Sequence, residues 1–386
     1  MKVLFCKWGS ICEAGIEHAL QELKIETDYV TQGLKHTDYD TAYLKEVARR
    51  LDAKTYDYVF SINFVPIISK VCNLYHQKYM CWTVDHPSLQ LYFKDLRNSC
   101  NRVFMFDRMK YEKFYQVNKE EIFYMPLGCD YSFYRSITVT PDEQKKYQCD
   151  ISFIGSTYQE KCKYNQIQNL SEYIKGYVDG LIYAQMNIYS YNLLADSMSE
   201  QFCKEFKKYA DWGNLPKDYE EDSLGLIADC YIGEKCTEQE RIRTRQNISE
   251  HFDMDIYTTS DMSAIPKIHN RGIADSVTMM PKIFQCSRIN LNMTNRPIRS
   301  GLPQRIFDIM GAGGFLLTNY QPELTEYFEI GKEVAVYGSQ QDLLEKIAYY
   351  LEHEDERVEI AANGRRTIEK NHQYAQRLQM MFEVDE

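Results

Sequence analysis

The chain has 386 residues, enough for two or three domains with cores of their own. Hydrophobic residues at 44% and charged residues at 26% describe a globular protein, and the net charge of -11 argues against nucleic acid as the main partner. The apolar stretch in MKVLFCKWGS is too short for a signal peptide, and no window approaches the roughly 18 apolar residues of a spanning helix. The twelve cysteines contain no C-x-x-C pair and no zinc spacing, so they read as reduced thiols of a cytoplasmic protein. Peripheral contact with the inner face of a membrane stays compatible with this reading.

Residues 1–140 read as a first α/β domain. Val3-Leu4-Phe5 is a buried strand ending in Lys7-Trp8-Gly9-Ser10, followed by a helical stretch through Ile16, Ala19, Leu20 and Leu23. Tyr58–Ile62, Lys78–Trp82, Arg102–Phe106 and Ile122–Met125 are four further strands, and helical connections between them imply a parallel sheet. Ligands of such sheets bind at the carboxyl ends of the strands. That directs attention to Trp8, Gly9, Asn63 and the turn Asp85-His86-Pro87.

Ser132–Gln148 is polar and reads as an interdomain linker. The second domain spans 149–366 and opens with the strand Cys149–Ile154 and the turn Gly155-Ser156. Lys161 and Lys163 follow, either as charge for an anion or as ordinary surface lysines. Tyr164–Phe252 is helical and charged, an insertion with no role evident from its residues. Asp255–Thr258 resumes the sheet, with Tyr257 at its end as a stacking candidate that is also explained as packing.

The run from Cys286 to Tyr320 is the most informative. Ile289, Leu291 and Met293 alternate with polar residues, which predicts a half-buried strand. A polar loop with Asn295, Arg296 and Arg299 follows, then a helix entry at Gly301-Leu302-Pro303 with Ser300 as N-cap. Gly311–Gly314 should stop that helix before the short strand Phe315–Thr318. A helix start of this kind offers N–H groups to an anion, Arg296, Arg299 and Arg305 add positive charge, and Asp308 can accept hydrogen bonds from a sugar diol. An ordinary βαβ unit with solvated arginines explains the same residues.

LPQR and FDIMGAGGFLLTNY in this run resemble the C-terminal half of GT-B glycosyltransferases, specifically the CgeB-like spore-maturation group related to family 4 glycosyltransferases. Phe60–Phe64, Cys81–Pro87, Phe104–Arg108 and Tyr124–Leu127 are similar to the N-terminal domain of the same group. The resemblance implies two Rossmann-like α/β domains facing across a cleft, with the helical insertion in the second. It also implies that the C-terminal helix, about 367–386, crosses back to the first domain. It assigns the ribose to Asp308, the phosphates to Ser300, Gly301 and Arg305, and acceptor contacts to the first-domain loops. Retaining family 4 enzymes carry a second acid where this chain has Ser300, so an inverting reaction is expected.

The implied function is transfer of a sugar from a nucleoside-diphosphate sugar, UDP-sugar first, to a hydroxyl of a glycan, polysaccharide or protein. No metal or other cofactor is expected: Asp253-Met254-Asp255 and Asp38-Tyr39-Asp40 spell D-x-D, but that spelling arises by chance in an acidic chain. Asp85 is the expected base and His86 the second choice, although Asp85 is also explained as a helix cap. A binding protein without turnover, and an epimerase or phosphorylase of the same fold, are the rival readings.

Overall fold

A computed structural model describes residues 1–189, 191–210, 222–262, 265 and 267–385. The chain forms two α/β units, each built on a six-stranded sheet whose described pairings are all parallel.

The first unit comprises Met1–Asp130 and Gln373–Glu386. Its strands are β1 (Lys2–Cys6), β2 (Glu26–Val30), β3 (Tyr58–Ile62), β4 (Tyr79–Trp82), β5 (Asn101–Met105) and β6 (Ile122–Tyr124), in the order β2-β1-β3-β4-β5-β6. Every residue of β3 and β4 is buried, as expected of strands covered on both faces. The edge strand β2 escaped sequence reading because one residue of ETDYV is buried and the rest look polar. The terminal helix Tyr374–Phe382 is tied into this unit by the Tyr374 N–H on the Cys129 carbonyl at 3.0 Å and by Arg377 on the Leu127 carbonyl at 3.3 Å.

The second unit covers most of Tyr131–His372. Its strands are β7 (Cys149–Ile154), β8 (Met254–Tyr257), β9 (Ile268–Asn270), β10 (Ser287–Asn292), β11 (Leu316–Asn319) and β12 (Ala335–Tyr337). The order is β12-β11-β10-β7-β8-β9, the doubly wound pattern in which the chain reverses direction between β7 and β10. The expected insertion is the crossover from β7 to β8. It contains helices Glu172–Gln185 and Glu200–Phe206, a π-helical segment Ile227–Gly233 and the helix Glu234–His251. Within the expected linker, Pro141–Tyr147 is a helix that groups with this unit, started by a capping box between Thr140 and Glu143.

The sequence predicts a half-buried β10, and the structure buries nearly all of it. Its polar residues bond sideways. Asn290 accepts from Ser152 at 2.9 Å and donates to the carbonyls of Phe284 and Phe315, while Asn292 donates to Thr318 at 2.9 Å. Satisfying these groups within the sheet lets an Asn-containing strand lie in the core.

The helix Gln304–Ala312 ends where the glycines predict, with Gly313 left-handed at φ 87° and the Gly314 N–H on the Ile309 carbonyl at 2.9 Å. A side chain at Gly314 would place Cβ 2.7 Å from both the Phe284 carbonyl oxygen and Asn290 Nδ2. Gly314→Ala is therefore expected to lower unfolding free energy by about 1–3 kcal/mol in a urea titration, through overpacking against backbone.

Candidate functional site

In the first unit the chain reverses between β1 and β3, so the loops after these strands mark its crevice. Glu13 organises the first loop: its carboxylate accepts the N–H groups of Trp8, Gly9 and Ser10 at 2.7, 2.8 and 3.1 Å. The Trp8 indole N–H reaches across to the Ile62 carbonyl at 2.7 Å. Asn63 sits in the left-handed region at φ 58° and holds the β4 turn, donating to Asp85 Oδ2 at 2.9 Å and accepting from the Val84 N–H at 2.8 Å. Asp85 is exposed and oriented by that bond, whereas His86 is buried and stacked on Phe106 at 4.9 Å. The helix-cap reading of Asp85 is not what the turn shows, since its side chain is used by Asn63 and the helical turn begins at Leu89.

In the second unit the crevice lies between the turn after β7 and the loop after β10. Arg241, from the helix Glu234–His251, spans it: Nη1 donates to the Ser156 carbonyl and Nη2 to the Met293 carbonyl, both at 2.6 Å. Asn295 accepts from Thr237 of the same helix at 2.7 Å. The sequence offered Arg296 to the donor, but its guanidinium is committed elsewhere. It forms two 2.7 Å bonds with Glu240, donates to the Ile188 carbonyl and lies over Tyr189, with the whole pair buried. Arg299 is likewise paired with Asp229 at 3.1 Å.

The helix entry falls three residues later than the sequence predicts. Ser300 is not the N-cap; Pro303 occupies that place, and the Ser300 hydroxyl donates to the buried Glu323 at 2.6 Å. Gly301 lies just before the entry. Arg305 stands in the first turn over Phe284, its Nη1 3.9 Å from Asp308 Oδ2. Asp308 is buried, accepting from Tyr134 at 3.0 Å and from Gln304 at 2.9 Å, and burial raises its pKa against the pull of Arg305 and these two donors.

Two other sequence candidates, Tyr257 and Lys161, have different surroundings. Tyr257 is buried against Tyr147, Ile283 and Cys286, and Lys161 is exposed. Asp255 of the D-x-D spelling is held by Arg271 and His269. Among the described residues, no group of three or more His, Cys, Asp or Glu side chains is arranged to hold a metal ion.

Residues 243–383 match the family model described as glycosyl transferase-like. Among solved structures, the chain is similar to HepE of Anabaena, crystallised with UDP-glucose: 11% identity, TM-score 0.56, covering 100% of this chain and 99% of that one. The form of HepE crystallised with UDP and glucose gives 13% identity and TM-score 0.55 over the same shares. Sucrose-phosphate synthase of Thermosynechococcus elongatus gives 9% identity and TM-score 0.54, covering 99% of this chain and 98% of that one. No curated protein matches. The fold is the GT-B glycosyltransferase fold. Within it, sequence reading expected the helical insertion but offered none of its residues to the site, although Arg241 of the crossover helix spans the second-unit crevice. The available signal was the spacing of Thr237, Arg241, Thr244, Arg245 and Ile248 on one helical face.

Removing the partner of Arg296 should be severe. Glu240→Ala leaves a buried guanidinium uncompensated and is expected to cost about 3–5 kcal/mol by chemical denaturation. Glu234, at the start of the same helix, carries a pH signature. Burial pushes its carboxyl from an ordinary 4.5 up to about 7, against the Lys163 N–H and the charges of Lys163 and Lys161. Between those values the folded chain holds a proton that the unfolded chain releases, so this contribution to stability falls as pH rises. Glu234→Gln should gain about 1–3 kcal/mol relative to the parent between pH 4.5 and 7.5, read from melting curves across that range.

Proposed function

We propose that this chain is a glycosyltransferase, of the CgeB-like group, that moves a sugar from UDP-sugar to an acceptor hydroxyl. The observation that carries the reading is a coincidence of position. Most of the glycosyl transferase-like match falls on the second unit, where a doubly wound sheet opens its switch point beside Arg305 and Asp308. HepE, similar over the whole chain, is a structure with UDP-glucose. The reading gives Asp308 the ribose hydroxyls, and gives the diphosphate the helix start after Gly301 and the charge of Arg305.

Asp85 takes the acceptor proton: it is exposed, and Asn63 aims it, while buried His86 is the weaker choice. The acceptor oxygen then bonds to the anomeric carbon as the bond to the diphosphate breaks, and the diphosphate leaves with the electron pair. Attack opposite the leaving group inverts the centre, in keeping with Ser300 where retaining relatives carry an acid. Trp8, Gly9 and Asn63 border the acceptor side, for a glycan, polysaccharide or protein. Charge neutralisation falls to arginine and the helix start, so this reading assigns the reaction no metal. The twelve free cysteines fit a reducing cytoplasm, and no helix of the described residues is long and apolar enough to cross a membrane. Contact with the inner membrane face is left to the acceptor.

Incubation with a panel of UDP- and GDP-sugars, followed by nucleotide release, tests the reading. UDP release that persists in EDTA is the expected result; binding without release, isomerised donor or dependence on phosphate would each replace it with a rival. Asp308→Ala should weaken UDP binding by about tenfold or more by calorimetry, as loss of charge-assisted hydrogen bonds does. Asp85→Asn should lower kcat by at least about a hundredfold while leaving donor affinity intact. Full turnover in that variant would remove Asp85 as the base.

A further inference from the structure

A cavity of about 550 Å³ opens in the second unit at the amino ends of β10 and β11, the opposite end of the parallel sheet from the crevice. Ser287 and Arg288 begin β10 on one side of it, and Gly313, Gly314 and Phe315 lead into β11 on another. The helix Glu354–Asn371 lines it with one face, on which Glu354, Arg357, Ala361 and Arg365 recur at helical spacing. The lining residues all belong to the second unit. Three of them, Val358, Ala362 and Arg366, are exposed, so the cavity meets solvent.

The charge of this lining is opposite to that of the chain. In a protein of net charge -11, four arginines, 288, 357, 365 and 366, line the cavity with one carboxylate, Glu354. Arg288 is answered by Asp150 at 3.0 Å and by the Leu351 carbonyl. Arg357 is 5% exposed; it donates to the Tyr350 carbonyl at 2.7 Å and stands 3.7 Å from the largely exposed Glu354. Burial, and then repulsion from Arg288, hold Arg357 below the ordinary guanidinium pKa against Glu354 and Asp150. Among the described residues neither Arg365 nor Arg366 forms an ion pair. Arg365 lies over the ring of Tyr131, its Nε buried without a hydrogen-bond partner, and Arg366 donates to the neutral side chain of Asn363. Arginines on an outward helix face are ordinarily solvated. Here they share a cavity with a buried guanidinium and with Phe315, Val358 and Ala361, and cavities of this size take small organic ligands.

We propose that this cavity binds a phosphorylated small molecule other than the nucleotide donor, with its phosphate on Arg365 and Arg366 and its organic body along Phe315, Val358 and Ala361. A guanidinium fork matches two phosphate oxygens at once, and a phosphate dianion balances two cations that no carboxylate balances. Arg288 and Arg357 strengthen the positive field while keeping the partners they have. The site needs nothing from the crevice at the other end of the sheet, so it stands independently of the donor reading.

A thermal-shift panel on the full chain tests the assignment, with sugar phosphates, triose phosphates and nucleoside monophosphates each beside its dephosphorylated counterpart, and with inorganic phosphate. The best ester then goes to calorimetry in the parent and in the double variant Arg365→Gln/Arg366→Gln. The expected ester binds at least about tenfold tighter than its dephosphorylated counterpart, keeps binding in saturating UDP, and loses about tenfold or more in affinity in the double variant. If that variant does not fold, Arg366→Glu at the exposed position carries the comparison, with a loss of about fivefold or more. Ester binding that UDP abolishes, or that stays within about twofold of the parent in a folded variant, overturns the site. A panel without a binder overturns it as well. Inorganic phosphate binding as tightly as the best ester overturns the phosphorylated molecule and leaves a bare anion in its place.

Discussion

The second unit depends on how its crossover helix is fastened to the carboxyl ends of β7 and β10. Strands that diverge at a switch point leave carbonyl oxygens facing a gap, and buried carbonyls need donors. Arg241 supplies both, one nitrogen to Ser156 and one to Met293. Glu240 and Thr237, from the same helix face, then fix the loop after β10 through Arg296 and Asn295. The loop from Thr294 to Ser300 is shaped by a helix far from it in sequence, and the helix in turn is held by polar bonds where most helices use aliphatic packing.

The first unit solves the same problem with opposite electrostatics. Its switch-point loop has three N–H groups gathered on one carboxylate, Glu13, and its gap is crossed by the neutral indole of Trp8. A carboxylate already seated among those N–H groups takes the place an anionic ligand would occupy. The second unit leaves cations there instead. Two sheets of similar build therefore differ in the charge they seat at the switch point: a carboxylate in the first, a guanidinium in the second.

Much of the fold was legible in the sequence, because fully buried parallel strands are continuous apolar runs and because Gly313 and Gly314 can mean little else beside a helix end. The edge strands β2 and β9 were not, since each buries a single residue. Loop order around Asp85, Asp308 and Arg305 was also readable from position after a strand. What spacing could not show was who partners whom. Arg296 looks like a free cation until Glu240, 56 residues away, is folded against it. Ser300 looks like a helix cap until Glu323 is seen at 2.6 Å, so the acid absent from position 300 is present beside it from the loop after β11.

Arg241 and Arg245 were hardest to see, for a physical reason. Charged residues four apart on a helix ordinarily mark a solvated face, and the crossover is rich in them. Burying such a face is unfavourable unless each charge meets an opposite charge or a fixed dipole. Here two of the helix's buried acids, Glu240 and Glu238, are taken by Arg296 and Lys235, and Arg241 is met by the carbonyl dipoles of Ser156 and Met293 instead. A guanidinium met by fixed carbonyl dipoles and by the rings of Phe153 and Tyr158 is held without a carboxylate, which is why a residue that reads as solvated in sequence lies inside.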